Sequence, residues 1–258
     1  MSNNLGGEQH EITIRLSNIL CPKGFEIYPF LVGWYNELVD EPFRFKLPYS
    51  TLCYTVVSTP DMFENCLVPF LCKTATSGTA SNMDVLDKCM QHCFNNVKEA
   101  FPSEEVEAIL DYELAATRRP KVLVQPAGHV SGAAYYYTRA SLDPDPFPSD
   151  NKIFGVCIHP RYGGWFALRG VIIFQSIECP NLPRTAPIDC VPGNDRKVEL
   201  LDLFNNHWRD ARYRDIVEVD KKYSEDQQKY FETLPKDRAR IIQSLLEKYL
   251  TIDASCVN

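Results

Sequence analysis

The segment GVCIHPRYGGWFALRGVIIF, residues 155–174, constrains the fold more than any other stretch of this chain. Two apolar runs flank the turn-forming RYGG, and the second is rich in the β-branched and aromatic residues that suit a pleated, half-buried surface. Neither run approaches the roughly 20 apolar residues that span a bilayer. The pattern predicts a hairpin, GVCIHP against WFALRGVIIF, and therefore an antiparallel sheet. TLCYTVV, Thr51 to Val57, reads as a further buried strand. Around these lie helical patterns. One runs near Glu8 to Leu20 and is broken by Pro22 and Gly24. A second begins at STPDMF, with Ser58 or Thr59 as cap and Pro60 in the first turn. A third, from Ser81, is amphipathic, with Val85, Leu86, Cys89, Met90, Cys93 and Val97 on one face.

GFEIYPFLVGWYNEL supplies aromatics suited to packing against a sheet, and VEAILDYEL and PKVLVQ read as strands or extended segments. AGHVSGAAYYYTR starts as a small-residue helix and becomes a tyrosine-rich stretch, and LDPDPFPSDN is a polar loop. Toward the end, SEDQQKYFETL and PKDRARIIQSLLEKYL read as two helices. With no internal repeat and no clean linker, 258 residues fit one α+β domain over 1–258, with short tails.

A formal charge of −7 argues against broad nucleic-acid binding, which needs a basic face against phosphate. The N-terminal MSNNLGGEQHEITIRL has no signal-peptide core, so a cytosolic protein without membrane association is expected. The ten cysteines, Cys21 to Cys256, form no CxxC pair and are expected to be free thiols. In CMQHC, the residues Cys89, His92 and Cys93 have two readings, metal ligands or a core helix face, and the apolar neighbours favour the second.

Cys157 and His159 share a strand face, yet their Cβ atoms would lie on the order of 7 Å apart. That is long for a thiol–imidazole hydrogen bond, and neither an oxyanion hole nor an orienting residue is visible, which disfavours a cysteine hydrolase. Arg169 is anomalous inside an apolar strand, where a guanidinium requires an anion: an internal carboxylate or a ligand pocket. HWRDARYRD and KDRAR add Arg209, Arg212, Arg214 and Arg238. These form a solvated face or, if Arg214 and Arg238 converge with Arg169, an anion pocket sized for a small di-acid. His129 and Gly132 make an HxxG like that of cobalamin-ligating histidines, but Ala127 stands where those motifs carry Asp; a structural histidine is the alternative.

In order along the chain, CPKGFEIYPFLVGWYNEL, STPDMF, DYE, RRPK, GHVSGAAYYY, GVCIHPRYGGWFALRG, DCVP, HWRDARYRD and YSEDQQKYF resemble the cobalamin-processing chaperone family CblC (MMACHC), over roughly Cys21 to Arg238. The resemblance implies a flavin-reductase-like, nitroreductase-related fold that holds cobalamin base-off. It implies reductive decyanation of cyanocobalamin with FAD or FMN and NADPH, and glutathione-dependent dealkylation of methyl- and adenosylcobalamin. Carried over by motif, the cobalamin contacts are Asp111, Val122, Leu123, Val124, Gln125, Tyr136, Tyr137, Thr138, Cys157 and Leu168. The glutathione contacts are Arg169, Arg214 and Arg238. Thr138 replaces a glutamine of vertebrate members, VLVQP differs in detail, and the sequence around Arg238 diverges most. The proline-rich tail of vertebrate members is absent, so nothing attributed to it carries over. The cobalt travels with the cobalamin, and no protein side chain, His129 included, is expected to ligate it. Expected partners are a downstream trafficking adaptor and, on ligand binding, a second copy of the chain. Two other readings remain: a cobalamin carrier without chemistry, and a flavin-dependent reductase of small molecules.

Overall fold

The computed structural model describes residues 5–76 and 84–255. The start of the third sequence-predicted helix at Ser81, and Cys256, lie outside them. In chain order the elements are α1 (Leu5–Leu20), β1 (Phe25–Leu31), α2 (Val32–Leu38), β2 (Thr51–Ser58), α3 (Val68–Thr76), α4 (Val85–Ala100), β3 (Val106–Leu110), α5 (Val124–Val130), β4 (Tyr135–Tyr137), β5 (Val156–Ile158), β6 (Ala167–Glu178), α6 (Asn194–Asn206), α7 (Glu225–Glu232) and α8 (Ala239–Ser255). No helix among the described residues is long and apolar enough to cross a membrane.

A four-stranded antiparallel sheet, in the order β1-β2-β6-β3, forms the frame. All eight residues of β2 are buried, as TLCYTVV requires of a strand covered on both faces. The largest core joins this sheet to α1, α4 and α8, with Leu16, Leu20, Tyr54, Phe101 and Phe174 almost fully buried. Asp84 caps α4 by accepting the Leu86 N–H at 2.9 Å, and Ser224 caps α7 through the Gln227 N–H at 3.2 Å.

The structure departs from the expected hairpin. The turn closes, with His159 and Gly163 exchanging N–H···O bonds of 2.8 Å, but the strands on either side enter different sheets. β5 pairs with β4, while both edges of β6 are already taken by β2 and β3. GFEIYPFL proves to be a strand of the frame itself rather than a cover for it. PKVLVQ is extended only to Leu123, after which its last residues open α5. These differences share a cause: which strands pair is decided by long-range packing, which periodicity does not encode.

Two smaller cores pack the two faces of the β4–β5 sheet. One packs Tyr137, Val156 and Ile158 against α6. The other packs Cys157, Leu168, Phe166 and Val57 against Ala133 and Ala134, with Tyr136 and Val124 at its margin. The second of these forms the floor of the candidate site.

Candidate functional site

A cleft with about 220 Å³ of free volume opens between α5, β5, the turn into β6, and α6. Val124, Gln125, Cys157, Leu168 and Arg214, all singled out from the sequence, line it together with Phe166, Phe204 and Tyr213. Strand alternation explains the selection on β4: Tyr136, in register with Cys157, joins the core beneath the cleft, while Tyr135 and Tyr137 face the opposite core. The Leu168 methyls occupy space that a side chain on Gly128 would need, a Cβ there falling 2.9 Å from one of them. Small residues on α5 thus let the strand press against the helix.

Cys157 is not a nucleophile. Burial drives its thiol well above the ordinary cysteine range, and the thiol donates weakly to the Gln125 carbonyl at 3.8 Å. It lines the cleft from the core that it shares with Phe166 and Leu168. His129 is structural: its Nδ1 accepts the Tyr136 N–H at 3.1 Å, and burial, then Arg184, lower its pKa.

Asp111, Val122, Leu123, Tyr137 and Thr138 do not line the cleft. Tyr137 is fully buried, donating to Asp189 Oδ1 at 2.7 Å and accepting the Val191 N–H at 2.9 Å, so its side chain is committed to the core on the other face of β4. Thr138 caps the turn Arg139–Ser141. Val122 lies in the large core, and the Leu123 N–H is held by the Tyr35 hydroxyl at 2.9 Å. Asp111 follows β3, its N–H donating to the Arg169 carbonyl at 3.1 Å. Burial raises the Asp111 carboxyl above its usual range against the pull of Arg169.

The double glycine at the turn is explained by Arg214. A Cβ on Gly163 would fall 2.3 Å from the Arg214 carbonyl oxygen, and one on Gly164 would fall 2.8 Å from the Arg214 Cα. The absence of side chains lets the two backbones dock: the Gly164 N–H donates to the Arg214 carbonyl at 2.9 Å, and Arg214 Nη1 donates to the Gly164 carbonyl. The Arg214 guanidinium then sits 5.2–5.4 Å from the rings of Tyr213, Trp165 and Tyr223, within cation–π reach.

The same turn buries His159. It is 1% exposed, stacks on Tyr162 with centroids 4.6 Å apart, and shares a 3.1 Å hydrogen bond with the Tyr28 hydroxyl. Burial lowers its pKa to about 4, although Glu26 opposes the shift. The unfolded chain therefore binds the extra proton first, near pH 6.5, and stability falls as pH drops from there through the folded value. The expected loss by pH 4.5 is roughly 2–3 kcal/mol from this group. Urea midpoints at pH 7 and 4.5 should converge in His159→Gln, and an unchanged pH slope in that variant would refute the assignment.

The three arginines share one aromatic row. Arg214 contacts Tyr223, Tyr223 packs on Phe231 at 5.6 Å, and Phe231 lies 6.0 Å from the Arg169 guanidinium. Tyr230, 5.5 Å from Phe231, is covered by Arg238 at 4.5 Å. Their engagement differs sharply. Arg238 is committed: its Nη1 pairs with Asp84 Oδ2 at 2.6 Å, and its Nε donates to the Tyr230 and Thr233 carbonyls. Arg169 is 7% exposed and donates only through Nε, to Ser58 Oγ at 2.9 Å. No carboxylate among the described residues lies within ion-pair distance of it, so the internal salt bridge considered from the sequence is not made.

The aim of Arg169 was not legible in the sequence. Val56 pairs with Gly170 and Val57 with Leu168, leaving Arg169 as the extra residue of a β-bulge. A bulge re-aims a side chain that regular alternation would place elsewhere. Gly170, at φ +143°, is the visible trace of it.

The fold is thus a mixed antiparallel sheet and helices with an open, partly apolar cleft that has the caged Arg214 in its lining. The family model described as "Methylmalonic aciduria and homocystinuria type C family" matches residues 24–242, and the chain belongs to that family. A chicken (Gallus gallus) protein named "Cyanocobalamin reductase / alkylcobalamin dealkylase" is 47% identical over 234 residues, covering 91% of this chain and 97% of its own. The Homo sapiens protein of the same name is 46% identical over 232 residues, covering 90% of this chain and 81% of its own. A crystal structure of a C. elegans B12-trafficking protein, CblC, superposes with a TM-score of 0.83 at 27% identity, covering 93% of this chain and 97% of that one.

Proposed function

We propose that this protein binds cobalamin in the α5/β5/β6 cleft and removes its upper axial ligand, decyanating cyanocobalamin and dealkylating alkylcobalamins. The observation that carries the reading is the convergence of Val124, Gln125, Cys157 and Leu168 on one apolar wall. A corrin is a broad, largely apolar disc, and an open cleft with a few polar groups at its edge suits it. Gln125 and Arg214 supply those groups, Tyr136 backs the wall, and Tyr137 and Thr138 hold β4 and the turn after it in place behind it. Asp111, Val122 and Leu123 act from behind it, fixing Arg169 and the start of α5.

Cobalt chemistry belongs to the substrate; the protein sets its coordination. With the benzimidazole tail displaced, the metal loses an electron donor and is reduced more easily. Reduced FAD or FMN, recharged by NADPH, supplies the electrons for decyanation. In dealkylation the glutathione thiolate attacks the alkyl carbon, the cobalt–carbon bond breaks, and its electron pair stays on cobalt as cob(I)alamin.

Arg169 and Arg214 anchor the glutathione carboxylates, each having guanidinium nitrogens to offer. Arg238 holds α7 and its aromatic row in place through Asp84 and reaches the tripeptide only by releasing that partner. The protein works in the cytosol, hands its product to a trafficking adaptor, and pairs with a second copy when ligand is bound.

Titration with cyanocobalamin should shift the visible spectrum to the base-off form, and reduced flavin should then release cyanide. A complex that forms but stays base-on and inert to both reductant and glutathione would leave only a carrier.

A further inference from the structure

In the largest core, the sequence reading of CMQHC as a core helix face is correct but incomplete. Cys89 and Cys93 lie one turn apart on α4 and are buried, while His92 is exposed and hydrogen-bonded to Asn96. A third thiol joins them. Residues Phe63–Leu67 form a π-helical turn ahead of α3, and it delivers Cys66 with its Sγ 3.5 Å from Cys89 Sγ and 3.4 Å from Cys93 Sγ. All three sulfur atoms lie within 4.8 Å of one another. Such π-turns are rare and concentrate where a side chain must be presented out of helical phase.

We propose that Cys66, Cys89 and Cys93 form a binding site for one soft thiophilic cation, Cu(I) or Zn(II), separate from the cobalamin cleft. Sulfurs about 2.3 Å from a shared tetrahedral metal stand about 3.8 Å apart. The Cys66–Cys89 and Cys66–Cys93 spacings need only a few tenths of an ångström of expansion, and Cys89 and Cys93 lie within 4.8 Å of each other. Three sulfurs with no oxygen donor select a soft d10 ion over magnesium or calcium. A single disulfide does not use the cluster, because any pair leaves a third buried thiol over.

The surroundings complete the site. A cavity with about 170 Å³ of free volume reaches the sulfurs past Phe70 and His92, which supplies an entry path and room for a fourth ligand on zinc. Three thiolates leave one net negative charge on Zn(II) and two on Cu(I). Lys23 and Lys73 line the same cavity and offset that charge. On binding, the thiol protons pass to solvent, so affinity rises with pH. None of these residues borders the cobalamin cleft.

The test uses the full chain, reduced and metal-free, titrated anaerobically with Zn(II) in one arm and chelator-buffered Cu(I) in the other. One equivalent of metal should survive desalting in at least one arm. It should shield Cys66, Cys89 and Cys93 from alkylation, mapped by peptide mass, and leave exposed Cys21 reactive. Cys66→Ser should weaken retention by about 100-fold or more, whereas Cys179→Ser, in a buried thiol outside the cluster, should not. Failure of both ions to bind, shielding of other cysteines instead, or full retention by the triple serine variant would each overturn the proposal. If that triple variant does not fold, the alkylation pattern of the unaltered chain decides alone.

Discussion

Arg169→Gln should lose about 100-fold in glutathione-dependent dealkylation while its affinity for cobalamin stays within about threefold of the unaltered chain. Removing one partner of a buried, charge-assisted pair costs about 2–5 kcal/mol, and 2.7 kcal/mol is a factor of 100 in rate. The asymmetry follows from position. Arg169 is absent from the cleft lining, to which its neighbour Leu168 contributes, and its terminal nitrogens have no protein acceptor among the described residues. Glutamine keeps an amide near Ser58 and fills much of the volume, which limits the structural damage that alanine would cause. Reductive decyanation, which uses no glutathione, serves as the internal control. Equal losses in dealkylation, decyanation and cobalamin affinity would show that Arg169 supports the fold and not the thiol.

Much of this arrangement could be read from the chain before any coordinates. Runs of apolar, β-favouring residues located β2 and β6, the 3.6-residue period located α4, and the motifs of the family pointed to α5 and β5. Long-range pairing was the part left hidden. RYGG signals a tight turn, and a tight turn forms, but nothing local says that β6 will be claimed on both edges and β5 passed to β4. Tyr136 and Tyr137 illustrate the same limit at one residue's resolution: alternation states that they face opposite ways, and only tertiary packing decides which one meets the cleft. Arg214 was legible as a charge but not as the centre of an aromatic cage, since Trp165, Tyr213 and Tyr223 come from separate segments. Cys66 escaped notice because a π-turn breaks the helical phase on which spacing arguments rest.

Gly170→Ala is expected to have the largest effect on the fold and to disturb the site with it. At φ +143° an L-residue is strained by about 1–3 kcal/mol. Its Cβ would also fall 2.1 Å from the Ile109 carbonyl oxygen, a clash with backbone that no rotamer change relieves. Overpacking of that kind costs about 1–3 kcal/mol more, giving on the order of 4 kcal/mol against a typical total of about 5–15. The urea midpoint should fall accordingly, whereas Gly7→Ala, within α1 and with nothing within 4 Å of the added carbon, should not lower it. Folded protein that survives must relieve the clash by moving β3 from β6 or by flattening the bulge between Val56 and Val57. Flattening restores simple alternation and turns Arg169 away from Ser58, so dealkylation should fall further than the remaining folded fraction accounts for. A variant of unchanged stability that dealkylates normally would mean that the bulge neither strains the strand nor aims the arginine, and the link drawn between backbone irregularity and thiol chemistry would fail.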